Sequence, residues 1–298
     1  MTTAEVLAYY TQAGPLTEPG AHRDALLALP KDVPALLAAV QGNLVHQALT
    51  HLYGFELAEA QRETAHVRPA DRVLNAILAA DQRPLAEARE PRDRFACTCR
   101  TFTLVTVAAL RAHGVPARAR CGFWHYEQDS EWYIDHWVAE HWDGERWVLS
   151  DAQMDPVQTE EFKLDFDPAD VPRDRFIVAG QAWIGYRAGE IDADKCGLPG
   201  VPGGESGPWW IAANLVRDAA ALANRELLPW DVWGRMPEPE DEIDADLTAL
   251  LDDLAAVTAD PDTAADVRAR YETDDRIRVP EQVRNAVRQT AEPVIPVD

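Results

Sequence analysis

The stretch that decides the fold is Cys99–Arg118, which reads CRTFTLVTVAALRAHGVPAR. Apolar side chains follow the cysteine on nearly every side of a helix, which is typical of a helix buried all round. Gly114 comes directly after a histidine and Pro116 lies just beyond, the pattern of a helix C-terminus. The stretch therefore predicts a buried helix that follows Cys99 and ends at residues 113–114.

Three short segments after this helix alternate in side-chain character and are rich in Trp, Val and Arg. They predict β-strands at residues 117–123, 133–142 and 146–150. Asp143-Gly144, between the last two, is a strong signal for a two-residue hairpin turn. A buried helix followed by antiparallel strands predicts an α+β fold, in which the helix packs on the sheet.

The predicted hairpin brings a histidine and an aspartate together. A two-residue turn makes Trp142 face Glu145, and the same register puts His136 opposite Asp151, with Cβ atoms about 5 Å apart on one face. A carboxylate there accepts a hydrogen bond from one imidazole nitrogen and leaves the other nitrogen free as a base. His141 and His125 are nearby alternatives to His136, and His141 has the opposite parity and is predicted to point to the other face.

Cys99 sits where the buried helix begins. A helix N-terminus presents unpaired N–H groups and partial positive charge, which favour a thiolate and can hold an oxyanion. Cys99 is therefore a candidate nucleophile, with a buried structural thiol as the alternative. Cys97 is predicted to be a neighbour lying off the helix, and the pair lacks the C-x₂-C spacing of zinc sites.

Three blocks in this order resemble the transglutaminase-like superfamily. Cys99–Arg118 resembles its nucleophile helix, Asp135–Glu140 (DHWVAE) its His-x-Trp-Val-x-Glu strand, and Trp147–Asp151 (WVLSD) its Trp-Val-x-x-Asp strand. The resemblance covers roughly residues 95–155. It implies a papain-like core, with Cys99 as nucleophile, His136 as its base and Asp151 orienting the histidine. Segments farther along, 167–183 and 214–231, resemble a bacterial subfamily of these proteins.

Residues 1–93 are predicted to be a helical N-terminal region packed on the core. Ala and Leu dominate there, with polar residues interleaved at helical spacing. Asp32 and Pro34 predict the start of one helix that runs as far as Leu44, and Pro69 the start of another.

Residues 94–235 are predicted to form the catalytic core with a helical extension. Residues 171–186 and 211–227 have helical patterns, whereas residues 197–208 are rich in Gly and Pro and predict a loop. Two side chains of the core are predicted to be structural: Arg118 in an ion pair, and Glu140 paired with an arginine.

Residues 236–298 are predicted to be an acidic helical C-terminal region and tail. An apolar face is expected to pack on the body or on a partner, and it is formed by Ile243, Leu247, Leu250, Leu251, Leu254 and Val257. The last residues, with Pro293 and Pro296, predict a loose tail.

The charge balance narrows the choice of partners. The chain has 51 acidic and 28 basic residues and a net charge of −23, which disfavours nucleic acid and anionic membrane surfaces. No signal-peptide pattern is present at the N-terminus, and the cytoplasm is the expected compartment. Four cysteines in a chain of this size are expected to be reduced thiols.

Acyl transfer through a Cys99 thioester is the reaction that these residues predict. The expected partner is an amide- or thioester-bearing substrate, such as a small molecule, a peptide or a carrier-tethered acyl group. The acyl group would pass to water or to an amine, and no metal or organic cofactor is implied. Two alternatives stay open: a C–C condensing cyclase of natural-product biosynthesis, and a non-catalytic binding scaffold. The oligomeric state is left open.

Overall fold

Helices and strands are mixed along the chain in a computed structural model that describes residues 2–127, 130–200 and 205–296. The helices are α1 Thr3–Tyr10, α2 Arg23–Leu27, α3 Val33–Gln41, α4 Glu59–Arg62, α5 Ala70–Ala80, α6 Cys99–Ala112, α7 Pro156–Glu161, α8 Ala179–Ala188, α9 Pro208–Leu222, α10 Ala245–Thr258 and α11 Val267–Thr273. The strands are β1 Leu44–His46, β2 Phe95–Cys97, β3 Ala117–Trp124, β4 Tyr133–Trp142, β5 Trp147–Ser150, β6 Phe176–Val178, β7 Cys196–Gly197, β8 Asp231–Val232, β9 Gln282–Asn285 and β10 Thr290–Pro293. The predicted α+β class is confirmed.

Two compact units, each built from separate stretches of sequence, make up the chain. The N-terminal unit comprises Thr2–Ala119 and Val138–Val171, and the C-terminal unit comprises Arg120–Trp137 and Pro172–Asp298. The divide falls inside β3 and β4, so each of these strands contributes residues to both units. Among the described residues, the largest sheet has the strand order β5-β4-β3-β6, with β7 also paired to β4.

Helix α6 forms the centre of the N-terminal unit. All its residues from Cys99 to Ala112 are buried, because α2, α3 and α5 contact it from several sides. Its length and its end confirm the prediction: Gly114 follows at φ 79°, a left-handed conformation that glycine adopts without strain. The buried arginines of the helix donate to backbone carbonyls, Arg100 Nη1 to the Arg68 oxygen and Arg111 Nε to the Ala117 oxygen, both at 2.8 Å. Arg111 Nη1 also donates to the Thr17 hydroxyl at 2.8 Å.

A buried ion pair ties β3 to β4 in the N-terminal unit. Arg118 Nε donates to Glu140 Oε2 at 2.6 Å, and neither side chain is exposed to solvent. The guanidinium also lies 3.9 Å from the ring centre of Trp147 and 5.1 Å from that of Tyr10. The structural roles predicted for Arg118 and Glu140 are confirmed.

The β4–β5 hairpin differs from the predicted one. Trp142 pairs with Trp147 and Ala139 with Ser150, so the turn has four residues instead of two. The carboxylate of Asp143 explains the longer turn, because its Oδ1 accepts from the backbone N–H groups of Glu145 and Arg146, both at 2.8 Å. The predicted register, in which His136 lies directly opposite Asp151 on the neighbouring strand, is therefore wrong.

Helix α3 also departs from the prediction. Asp32 caps its N-terminus as expected, its side chain accepting from the Ala35 N–H. The helix ends at Gln41, and Leu44 lies in β1, which pairs in parallel with β2. Asn43 helps to end the helix, since its side-chain amide donates to the Ala39 carbonyl oxygen at 2.6 Å.

The segment around residue 177 was predicted to be helical, but it first forms β6. Gly122 on β3 allows this strand to approach closely, since a Cβ at Gly122 would lie 2.2 Å from the Ile177 carbonyl oxygen. Helix α8 follows at Ala179. The predicted helix at 211–227 is shifted, because α9 starts at Pro208 and ends at Leu222, after which Asn224 adopts a positive φ.

The C-terminal unit is organised around α9, which α8, α10 and α11 contact. The predicted amphipathic helix is observed as α10, with Leu247, Leu250, Leu251 and Leu254 buried. Of the other two residues of the predicted face, Ile243 lies before the helix and Val257 is only partly buried. The end of the chain differs from the predicted loose tail, since β9 and β10 form an antiparallel hairpin that extends from β8. Residues 201–204, within the predicted 197–208 loop, lie outside the described residues.

Within the described ranges, the helices are too short or too polar for any of them to cross a bilayer.

Candidate active site

Cys99 is the first residue of α6 in the N-terminal unit, and its side chain is 5% exposed. The preceding residue, Thr98, occupies the cap position with extended backbone, but its side chain makes no capping hydrogen bond. The Thr98 hydroxyl is buried and has no hydrogen-bond partner among the described residues. The first turn of α6 thus has backbone N–H groups that no capping side chain binds. An oxyanion site requires such donors.

Cys97, two residues earlier, has different surroundings. It lies in β2 with no exposed surface, and burial raises the pKa of its thiol well above the ordinary value, with the neighbouring Cys99 adding to the shift. A thiol that resists deprotonation is a poor nucleophile. The structure therefore supports the prediction that Cys97 is a neighbour of the nucleophile, and none of the four cysteines forms a disulfide.

Asp151 follows directly after β5 and belongs to the N-terminal unit. It is 1% exposed. Its Oδ1 accepts a hydrogen bond from the Gln153 N–H at 2.9 Å, and its own N–H donates to the Pro168 oxygen at 2.7 Å. Continued by one step, the observed register would put Val138 opposite Asp151. The first bond holds one oxygen of the carboxylate, and the second holds the backbone of the residue.

A buried network of polar side chains follows Asp151, and sequence analysis missed it. Gln153 Nε2 donates to Gln158 Oε1 at 3.1 Å, and Gln158 Nε2 donates to the Tyr53 hydroxyl at 2.9 Å. The hydroxyl in turn donates to Asp155 Oδ2 at 2.7 Å. No sequence signal relates Tyr53 to this segment, because it lies 102 positions before Asp155.

His136 lies on β4 in the C-terminal unit, two residues before Val138 and on the same face of the strand. It is 3% exposed and packs among aromatic rings. The ring centre of Trp124 is 5.1 Å from that of the imidazole, that of Tyr126 is 6.1 Å away and that of Phe176 is 6.4 Å away. These contacts restrict the orientation of the imidazole ring.

Asp135, the residue before His136, anchors β4 on its other face. Its carboxylate accepts a hydrogen bond from the Asn214 side-chain amide, and Asn214 accepts from Arg217 Nη1 at 3.0 Å. Burial raises the pKa of the Asp135 carboxyl, although the Asn214 bond and the Arg217 charge oppose the shift. Helix α9 thereby holds the strand next to His136.

His141, the alternative histidine, lies on the opposite face of β4 from His136 by strand parity. Its Nδ1 is 3.5 Å from the Ser150 hydroxyl, and burial lowers the pKa of its imidazole. Its contacts are those of a histidine that is neutral and packed in the interior.

Among the described residues, no three His, Cys, Asp or Glu side chains lie close enough together to hold a metal ion.

Similarity to known proteins is concentrated in the segment that carries these residues. Residues 80–152 match the family model of the transglutaminase-like superfamily, which confirms the resemblance found in the sequence. A solved structure from Cytophaga hutchinsonii, described as a putative cysteine protease, is 14% identical with a TM-score of 0.36. The match covers 60% of this chain and 46% of that one, so the chain spans about half the length of that structure. No curated protein matches this sequence.

Proposed function

Because residues 80–152 are transglutaminase-like, we propose that this protein is a cysteine enzyme that transfers or hydrolyses acyl groups through a thioester. The Cys99 thiolate attacks the carbonyl carbon of an amide or thioester, and the leaving amine or thiol departs with a proton from His136. Water or an amine then attacks the Cys99 thioester and gives up its proton to His136. The acyl group leaves and the thiolate is restored.

The position of Cys99 carries this proposal. A cysteine at the first residue of a buried helix, with no side-chain cap on the preceding turn, lies where backbone N–H groups and the helix dipole favour a thiolate. The same donors can stabilise the negative oxygen of the tetrahedral intermediate, a contribution that is often the largest in acyl transfer. Cys97, raised in pKa by burial, lacks these properties.

His136 and Asp151 are proposed as the base and the residue that orients it. The aromatic rings around His136 limit its orientation, and the Gln153 N–H fixes one oxygen of Asp151. A carboxylate bound to one imidazole nitrogen selects the tautomer that leaves the other nitrogen basic, and it stabilises the imidazolium that forms. Both residues lie within the transglutaminase-like segment.

The proposed partner is a substrate with an amide or thioester carbonyl, either small or carried on a peptide or carrier. The net charge of −23 disfavours polyanions such as nucleic acid through simple repulsion.

Trapping of the acyl-enzyme tests the proposal. Phenyl thioacetate is mixed with the protein, the reaction is quenched in acid, and acetylated cysteines are identified by peptide mass spectrometry. We expect an acetyl group on Cys99 that hydroxylamine removes, and faster release of thiophenol than with the Cys99→Ser variant. The matched control is Cys97→Ser, which should release thiophenol at the wild-type rate within about twofold, since a buried neutral thiol does not contribute.

Acetylation spread evenly over the cysteines, or equal thiophenol release by wild type and Cys99→Ser, would overturn the proposal.

A further inference from the structure

In the network that joins Gln153, Gln158, Tyr53 and Asp155, the donor and the acceptor of each hydrogen bond can be assigned in only one way. The Asp155 carboxylate can only accept, and its Oδ1 already accepts from the N–H groups of Val157 and Gln158 at 3.0 Å. Burial raises the pKa of the Tyr53 hydroxyl well above its ordinary value, so Tyr53 stays a donor at any working pH. It must therefore donate to Asp155 and accept from Gln158.

The remaining orientations follow from that bond. Gln158 donates from Nε2 to Tyr53, so the Oε1 of Gln158 faces Gln153. Gln153 must therefore donate from its own Nε2. Gln153, Asp155 and Gln158 are all at least nine-tenths buried, so water cannot readily replace a lost partner. Each bond of the network restricts the group next to it, although the buried Oε1 of Gln153 has no hydrogen-bond partner among the described residues.

The network ends at Asp151. The Gln153 N–H donates to Asp151 Oδ1, and the Gln153 carbonyl oxygen accepts from the Asp155 N–H at 2.8 Å. The backbone of Gln153 is thus held between the aspartate and the network, while its side chain is held by Gln158. Tyr53 comes from outside the segment that follows β5, so its hydroxyl ties this segment to the helical part of the N-terminal unit. Arg94, also from outside the segment, lies 3.5 Å from Asp155 Oδ2.

We propose that Tyr53 is a positioning residue that orients Asp151 through Gln158 and Gln153. The role rests on the proposed function, because it matters for chemistry only if Asp151 orients a base. Loss of the hydroxyl removes the donor to Asp155 Oδ2, which Arg94 Nη1 still faces at 3.5 Å, and the acceptor of Gln158 Nε2. Gln158 then holds Gln153 less firmly, and the Asp151 carboxylate can turn.

The local part of the proposal is tested by hydrogen exchange on the intact protein. Tyr53→Phe keeps the ring and removes the hydroxyl, and we expect exchange of the Gln153 amide to rise about tenfold or more at an unchanged global exchange limit. Tyr186→Phe is the matched control: that ring packs on Trp183 at 5.5 Å, outside the network. Unchanged exchange at Gln153 in Tyr53→Phe would overturn the proposal.

The chemical part is tested by the pH profile of Cys99 alkylation with iodoacetamide. In Tyr53→Phe we expect the rate at about pH 6.5 to fall three- to tenfold and the profile to move toward that of an ordinary thiol, which rises near pH 8.5. Asp151→Asn should give the same shift. Because both changes act through one carboxylate, Tyr53→Phe in the Asp151→Asn background should add nothing.

Three results would contradict this role: a Tyr53→Phe profile that superimposes on the wild type, an additive double variant, or an equal fall at every pH together with a lower melting temperature. A failure of the proposed function would be seen in the wild-type protein, as a Cys99 that iodoacetamide alkylates no faster than a cysteine in the unfolded chain. Exchange of the Gln153 amide would in that case still show whether Tyr53 holds the segment that follows β5.

Discussion

Two histidines on the same strand β4, His136 and His141, have different surroundings because they lie on opposite faces of the strand. Both are buried, yet His136 packs among Trp124, Tyr126 and Phe176, whereas His141 lies near Ser150 on the other face. Strand parity separated them from sequence alone, because a change of two residues in the hairpin register leaves the face of each side chain unchanged.

The buried state of His141 predicts acid sensitivity. Burial lowers the pKa of this imidazole below its unfolded value, so the unfolded chain binds the proton more readily and stability falls as pH drops below about 6.5. In this pH range the titration of His141 lowers the free energy of unfolding by up to about 1.4 kcal/mol per pH unit, and replacing His141 with Gln should remove that contribution. Urea unfolding at about pH 5.5 and 7.5 measures the difference.

His51→Gln is the matched control, because His51 is exposed and should leave the pH dependence unchanged. A wild-type slope retained in His141→Gln would show that His141 does not titrate abnormally.

The Tyr53 network marks the limit of sequence reasoning at this scale. Cys99, His136 and Asp151 stand in blocks with a recognisable order, and Cys99 at a helix start follows from the apolar pattern after it. Tyr53 and Gln158 carry no such pattern. Their pairing across 105 positions depends on how separate segments fold together, which local propensities do not specify.

Among the elements, α6 was predicted in full, the β4–β5 hairpin was predicted with a turn that is too short, and the β9–β10 hairpin was not predicted. An all-round apolar helix with Gly114 beyond its end carries its own start and stop signals. Asp143-Gly144 fits both a two-residue turn and the longer turn, which the Asp143 carboxylate stabilises with two backbone hydrogen bonds. The β9–β10 hairpin was missed because prolines near it suggested a tail.

The Arg118–Glu140 pair joining β3 and β4 makes a stability prediction. Glu140→Gln leaves the buried Arg118 guanidinium without its counter-charge, and breaking such a pair costs about 3–5 kcal/mol. Urea unfolding should show this loss, whereas Glu145→Gln in the exposed turn should change stability by less than about 0.5 kcal/mol. A cost for Glu140→Gln as small as that of the turn variant would mean that the pair is not structural.

At the scale of the whole molecule, the two units are each assembled from stretches far apart in sequence. β3 and β4 each pass from one unit into the other, so composition along the chain cannot reveal where either unit ends. His136 and Val138 belong to different units although they are two residues apart.

The net charge of −23 predicts a dependence of stability on salt. Acidic residues repel one another in the folded state, and ions screen this repulsion. We expect the melting temperature to rise by about 1–3 °C as salt screens roughly 1 kcal/mol of repulsion, measured by calorimetry. Glu240→Gln with Glu242→Gln, both exposed, should reduce the rise, and a fall in melting temperature with salt would contradict the explanation.

The central claim is that Cys99 is an activated nucleophile whose base is His136, and site-resolved alkylation tests it most directly. Wild type, His136→Ala and His141→Ala are treated with iodoacetamide from about pH 5 to 9, and each cysteine is followed by peptide mass spectrometry. The account predicts that Cys99 reacts faster than Cys97 at about pH 6.5, that His136→Ala slows it about tenfold or more, and that His141→Ala does not. Equal effects of the two histidine variants, or a Cys99 no faster than Cys97, would contradict it.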